Sequence, residues 1–169
     1  FATARIGAIL VNINPAYRRA ELKYALVKVG VKVLITAGSF KTSNYLEMLT
    51  DLIPELATCR PERLSSPEFP LLRSIIQIGV ASHSGMFCFQ EIIEKGTTAY
   101  LARVDGISRK LFLDESINLQ FTSGTTGAPK AATLTHKNIV NNARFVAGSM
   151  QLTQKDKLCI PVPLYHCFG

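Results

Sequence analysis

No apolar run in the chain approaches ~20 residues, so no segment reads as a membrane-spanning helix. The four cysteines, Cys59, Cys88, Cys159 and Cys167, contain no C-x-x-C pair and form no His/Cys cluster with zinc spacing. Cys159, His166 and Cys167 lie near one another, but at spacings that make a weak metal motif. Buried free thiols in a reducing compartment are the expectation, and no metal site is assigned. There is no basic stripe interleaved with aromatics, which weighs against nucleic-acid binding despite a net charge of +7. Neither G-x-x-x-x-G-K-[ST] nor G-x-G-x-x-G occurs, so an ordinary P-loop phosphotransferase is disfavoured. The first residue is Phe, and residues 1–10 are neither a cationic signal peptide nor an Arg/Ser-rich transit sequence. The chain is expected to begin inside a domain, with targeting information missing rather than absent.

With 169 residues, 47% apolar and 18% charged, the chain reads as globular and long enough for one domain with a sizeable core. The positive charge suits small polyanionic ligands. The pattern of elements is α/β. Ala8 to Ile13 reads as a buried strand and Asn14-Pro15 as a turn. Arg19 to Val29 has a helical apolar face and Gly30 as its stop. Val31 to Thr36 is a second strand, and strand–helix–strand implies a right-handed parallel crossover.

Lys41 to Ile53 reads as a helix ended by Pro54, and Thr58 to Pro70 as a loop. Ser74 to Gly79 is a third strand. Ala81 to Gly85 is a loop with a solvated His83, and Phe87 to Glu94 a short helix. Residues 96–108 read as irregular. Ile117 to Phe121 is a strand, and Ala131 to Thr135 returns as its hairpin partner. A helix then starts at Thr135 or His136 and runs to about Met150. Leu158 to Val162 is a last strand.

Between the two hairpin strands lies the most unusual stretch, Phe121 to His136, FTSGTTGAPKAATLTH. Thr122 to Ala128 are all small, so they cannot build a core. Gly124 and Gly127 permit tight bends and a close approach of backbone N–H groups to a ligand. Successive N–H groups in such a turn form an anion site. The hydroxyls of Thr122, Ser123, Thr125 and Thr126 add donors, and Lys130 adds a positive charge able to follow a departing phosphate. A flexible Ser/Thr/Gly linker is the bland alternative. The ordered flanks argue against it, because loops gripped by regular elements are where binding groups sit.

Phe121 to Lys130, followed by His136, resembles without a gap the phosphate loop of adenylate-forming enzymes: acyl-CoA synthetases, luciferases and peptide-synthetase adenylation domains. One departure is Ala131, where that family usually has Gly. GAILVNINP near the N-terminus and PLYHCFG at the C-terminus resemble two further family segments. Within the family, the chain is most similar to mitochondrial medium-chain fatty acyl-CoA ligases.

The resemblance implies an α/β fold with a mostly parallel sheet flanked by helices. It also implies that residues 1–169 are an incomplete N-terminal adenylation domain, with the C-terminal domain absent. The implied reaction activates a fatty acid with ATP to an acyl-adenylate and then transfers the acyl group to CoA, with Mg²⁺ accompanying ATP. Thr122, Ser123, Gly124, Thr125, Thr126, Gly127 and Lys130 would bind the nucleotide phosphates. Lys130 and His166 would serve catalysis, and Tyr165 and His166 the acyl substrate. The implied compartment is the mitochondrial matrix, and the implied partners are small molecules. The family's later motifs are not in these residues, so the chain alone is expected to be inactive. The alternative is a non-catalytic nucleotide- or partner-binding remnant. If Ala131 begins a strand, its backbone is extended and the loss of Gly is harmless.

Overall fold

The computed structural model describes residues 1–79, 83–122, 129–163 and 165–166. In chain order its elements are α1 (Ala2–Arg5), β1 (Leu10–Asn12), α2 (Arg19–Lys28), β2 (Val33–Ala37), β3 (Ser39–Phe40), β4 (Ser43–Asn44) and α3 (Tyr45–Leu52). There follow β5 (Ser74–Ile78), β6 (Phe87–Cys88), α4 (Phe89–Glu94), α5 (Thr98–Ser108), β7 (Ser116–Thr122), β8 (Lys130–Thr135) and α6 (His136–Ser149). They form two compact units, Pro15–Thr97 and the pairing of Phe1–Asn14 with Thr98–Gly169.

The unit Pro15–Thr97 is built around a parallel sheet of order β2-β5-β6. Helix α2 buries Leu22, Ala25 and Leu26 at i, i+3 and i+4. Its start is held by the Glu21 carboxylate, which accepts from the Arg18 N–H at 3.1 Å. Gly30, with φ +63°, ends it in the left-handed conformation, and the Val31 N–H donates back to the Leu26 carbonyl at 3.1 Å. Helix α3 starts where the Asn44 side chain accepts from the Glu47 N–H at 3.1 Å. Pro54 stops it, leaving a 3-10 turn at Pro54–Ala57. Leu49, Ile53, Leu56 and Ile75 are the largest fully buried side chains and form the centre of the core.

In the second unit, β7 lies between β1, parallel to it, and β8, antiparallel. The α1 and α5 helices are joined by the Arg5–Asp105 ion pair at 2.9 Å. Helix α6 follows β8 directly and carries the capping box described below.

Several sequence expectations are corrected. The first and second strands do not cross over within one sheet, because β1 pairs with β7 and β2 with β5. An apolar run marks a strand but says nothing about its neighbour. Residues 96–108, expected to be irregular, contain α5, which buries no residue and gathers its apolar side chains on no single face. Leu158 to Val162 forms no strand. Pro161 offers no N–H to a ladder, and Leu158 and Ile160 are 55% and 47% exposed. The helix expected from Lys41 begins at Tyr45, after the β3–β4 hairpin whose turn places Lys41 at φ 53°. The helix expected from Phe87 begins at Phe89, after β6. Of the thiols expected to be buried, Cys88 is buried, Cys59 half-buried and Cys159 exposed, while Cys167 lies outside the described residues.

Candidate functional site

The site is carried by the β7–β8 hairpin. Its register runs from Asn118↔Leu134 through Leu119↔Thr133, Gln120↔Ala132 and Phe121↔Ala131 to Thr122↔Lys130. The chain leaves β7 and re-enters β8 on one rung, so both ends of the intervening loop are pinned to ordered backbone. The Thr122 hydroxyl donates to the Lys130 carbonyl over a long 3.5 Å. Lys130 is exposed, and among the described residues no carboxylate forms an ion pair with it. Ser123, Gly124, Thr125, Thr126 and Gly127, expected to cradle phosphates, lie outside the described residues.

Ala131 is a strand residue opposite Phe121 and is not among the residues with positive φ. Its backbone is extended, as expected, so a Cβ there meets no conformational penalty.

Helix α6 begins at the end of the same hairpin. The Thr135 hydroxyl accepts from the Asn138 N–H at 3.2 Å, and the Asn138 side chain accepts from the Thr135 N–H at 2.9 Å. The next two N–H groups are satisfied by the segment before β7: His136 donates to the Glu115 carbonyl and Lys137 to that of Leu113, at 3.3 and 3.0 Å. His136 borders a cleft of about 350 Å³ together with Arg5, Ser108, Phe112 and Leu113. Its Nε2 is buried and makes no hydrogen bond among the described residues.

Tyr165 is half-buried and His166 exposed. The His166 N–H closes a turn onto the Pro163 carbonyl at 2.9 Å. Upstream, the Asp156 carboxylate accepts from the Thr153 hydroxyl and N–H at 2.7 and 2.6 Å. The hydroxyl first, and then the N–H, hold its carboxyl below the usual range.

Gln120 was missed by the sequence. In the run SINLQFT its alternation marks it as one of the polar positions of a half-solvated strand. It is instead buried, and its side-chain amide donates to the Tyr165 carbonyl. The hairpin thus joins Thr122 to Lys130 across the ladder and, through Gln120, joins β7 to the Tyr165–His166 segment.

The stretch Phe121 to Lys130, set between the paired strands β7 and β8 with Lys130 at its exit, resembles the phosphate loop of adenylate-forming enzymes. Residues 1–169 match the family described as AMP-binding enzyme, and the chain belongs to it.

Among its relatives is the mitochondrial medium-chain acyl-CoA ligase ACSF2 of Danio rerio. It is 41% identical over 171 residues, covering 100% of this chain and 28% of the relative. The Homo sapiens ACSF2 is 40% identical over 173 residues, covering 99% of this chain and 28% of the relative. The Bacillus subtilis (strain 168) protein YngI is 42% identical over 169 residues, covering 100% of this chain and 31% of that protein. The chain therefore spans about three-tenths of the length of these relatives. The expected similarity to mitochondrial medium-chain ligases is borne out.

The fold agrees. The inhibitor-bound N-terminal domain of FACL13 from Mycobacterium tuberculosis superposes with a TM-score of 0.66 at 22% identity, covering 97% of this chain and 34% of that one. The anthranilate CoA ligase AuaEII, bound to anthranoyl-AMP, gives 0.63 at 23% identity, covering 83% of this chain and 22% of that one. The chain has the α/β fold of part of an adenylate-forming enzyme's N-terminal domain, with parallel pairing in both larger sheets and β8 antiparallel at one edge.

Proposed function

We propose that this chain is the phosphate-loop part of the N-terminal adenylation domain of an ATP-dependent acyl-CoA ligase acting on medium-chain fatty acids. The observation that carries this reading is the motif Phe121 to Lys130, in which Thr122 and Lys130 face each other on one rung of the β7–β8 ladder. The names of the acyl-CoA ligase relatives support the reaction class and chain length.

In the proposed reaction a fatty carboxylate attacks the α-phosphate of ATP, and the bond to pyrophosphate breaks. The thiol of CoA then attacks the acyl carbon and AMP leaves. The N–H and hydroxyl groups of Thr122 to Gly127 hold the β- and γ-phosphates and keep the leaving group in line. Lys130 stands at the loop's exit with an exposed ammonium group, where it offsets charge growing on the leaving pyrophosphate. Tyr165 and His166 stand on the acyl side, near the reacting carboxylate. Mg²⁺ accompanies ATP in such chemistry, but the described residues contain no group of three His, Cys, Asp or Glu that could hold it. No step is assigned to a protein-held metal.

The 169 residues alone are expected to make no acyl-adenylate, because the relatives use chains more than three times as long. The mitochondrial names of the vertebrate relatives support a mitochondrial location, whereas the Bacillus relative of similar identity gives no such support. Organelle fractionation tests this point.

The functional test is carboxylate-dependent ATP–pyrophosphate exchange by the full-length protein that carries this chain. Exchange with fatty acids of medium length is expected. Nucleotide binding without exchange would overturn the reading in favour of a non-catalytic remnant.

A further inference from the structure

Gln120 is 7% exposed, on the central strand of its sheet. Its backbone is paired on both sides, to Asn12 on β1 and Ala132 on β8. The sheet therefore makes no use of its side chain. A buried primary amide needs a partner, because its lost hydration is otherwise uncompensated. Gln120 Nε2 finds one in the backbone carbonyl of Tyr165, 45 residues further along the chain.

The acceptor lies in a stretch with little regular structure of its own. Residues 158–163 are in neither helix nor strand, and neither Pro161 nor Pro163 can donate an N–H. A side-chain amide reaching from a central strand gives such a segment an anchor on ordered backbone.

Position gives the contact its meaning. Gln120 stands two residues before Thr122, where the loop begins, which is about 7 Å along the strand. One strand thus carries both the entrance to the phosphate loop and the tie to Tyr165–His166. We propose that Gln120 is a positioning residue. Its amide holds Tyr165 and His166 at a set separation from Thr122 and Lys130, the paired strand residues that flank the phosphate loop, so that the fatty carboxylate meets the α-phosphate in register. This rests on the reading of the site as an acyl-CoA ligase. Leu at position 120 would fill the space without donating a hydrogen bond. Glu, when ionised, would offer only acceptors to a carbonyl that is itself an acceptor.

The test uses the full-length protein with Gln120→Leu and Gln120→Glu. Amide hydrogen exchange at Tyr165 and His166 should speed up about tenfold, the effect of losing one hydrogen bond, while the β7–β8 hairpin keeps its protection. The apparent KM for the fatty acid should rise by a similar factor, with the KM for ATP changed less than twofold. Unchanged exchange at 165–166 would overturn the proposal. So would loss of protection in the hairpin together with the segment, since Gln120 would then be a packing residue. A wild-type protein with no carboxylate-dependent pyrophosphate exchange would overturn the enzymatic reading and the catalytic purpose of the tie. Hydrogen exchange would still decide whether the tie exists.

Discussion

The two units differ in what they bury. Among the described residues, every buried apolar core side chain except Ile117 belongs to Pro15–Thr97. The unit with the hairpin buries Asn118 and Gln120 on its central strand, while Phe145 on α6 is 74% exposed. The first unit is held by apolar packing that excludes water. In the second, hydrogen bonds and paired backbone place the groups expected to meet the ligand. Substitutions in the first should cost stability and leave the chemistry of folded molecules intact. Substitutions of the side chains in the second that are expected to meet the ligand should do the reverse.

The largest effect is expected in the core. Leu49 is 1% exposed on the inner face of α3. Leu49→Ala should destabilise the protein by about 2–5 kcal/mol, through lost transfer energy and the cavity left behind. Urea denaturation measures the loss. Activity per folded molecule should not change, and a fall in it would show that the two units are not energetically separable.

Lys130→Ala is the opposite experiment. Lys130 is exposed and has no carboxylate partner among the described residues, so its loss should leave the urea midpoint within error. In the full-length protein the adenylation rate should fall about 10²–10³-fold, the size seen when one charge-stabilising donor is removed. Fatty-acid binding should change far less, since the ammonium is assigned to the pyrophosphate side. Equal losses in both, from pre-steady-state kinetics and equilibrium binding, would break the assignment.

Gly85→Ala sharpens the contrast at a single methyl group. Gly85 has φ +70°, and a Cβ there would lie 2.6 Å from the Leu56 carbonyl oxygen and 2.9 Å from Cys59 Sγ. Backbone cannot yield as a flexible side chain can. The left-handed conformation alone costs about 1–2 kcal/mol for an L-residue, and the collision adds to it. A thermal midpoint lowered by several degrees is expected. An unchanged midpoint would mean that the Leu56 turn adjusts freely.

What the sequence made legible follows from these two kinds of order. Periodic apolar burial writes itself into α2, β5 and β7, whereas β8 and α6 bury no residue and were legible from the hairpin return and the Thr135 start. All five lie within a residue or two of where the sequence puts them. Gly30 marked the end of α2 because a left-handed stop has a residue preference. Helix α5 was not legible, because its apolar residues gather on no single face. The pairing of β1 with β7 was not legible either, since it joins segments about 108 positions apart whose register depends on the whole fold. At the site, the loop declared itself by composition, whereas Gln120 did not. Its burial depends on Tyr165 lying above it, and a polar residue in an alternating strand looks the same whether water or a carbonyl receives its amide.

Ala131→Gly gives the smallest expected effect and bears most directly on the departure from the family pattern. If the usual Gly is there to allow positive φ, restoring it should relax the loop and raise the adenylation rate. The geometry argues otherwise. Ala131 pairs with Phe121 inside β8, one rung before the loop closes at Thr122↔Lys130, and its φ is not positive. Gly at that position would gain nothing in the folded state. It would release conformational freedom in the unfolded chain, costing about 0.5–1 kcal/mol of stability. We therefore expect a slight fall in the urea midpoint and an adenylation rate within about twofold of the parent, since no donor to the phosphates is added or removed. A rate increase of tenfold or more would show that the extra methyl group hinders the loop, and that the ladder at Phe121↔Ala131 does not fix the shape the loop takes when nucleotide is bound.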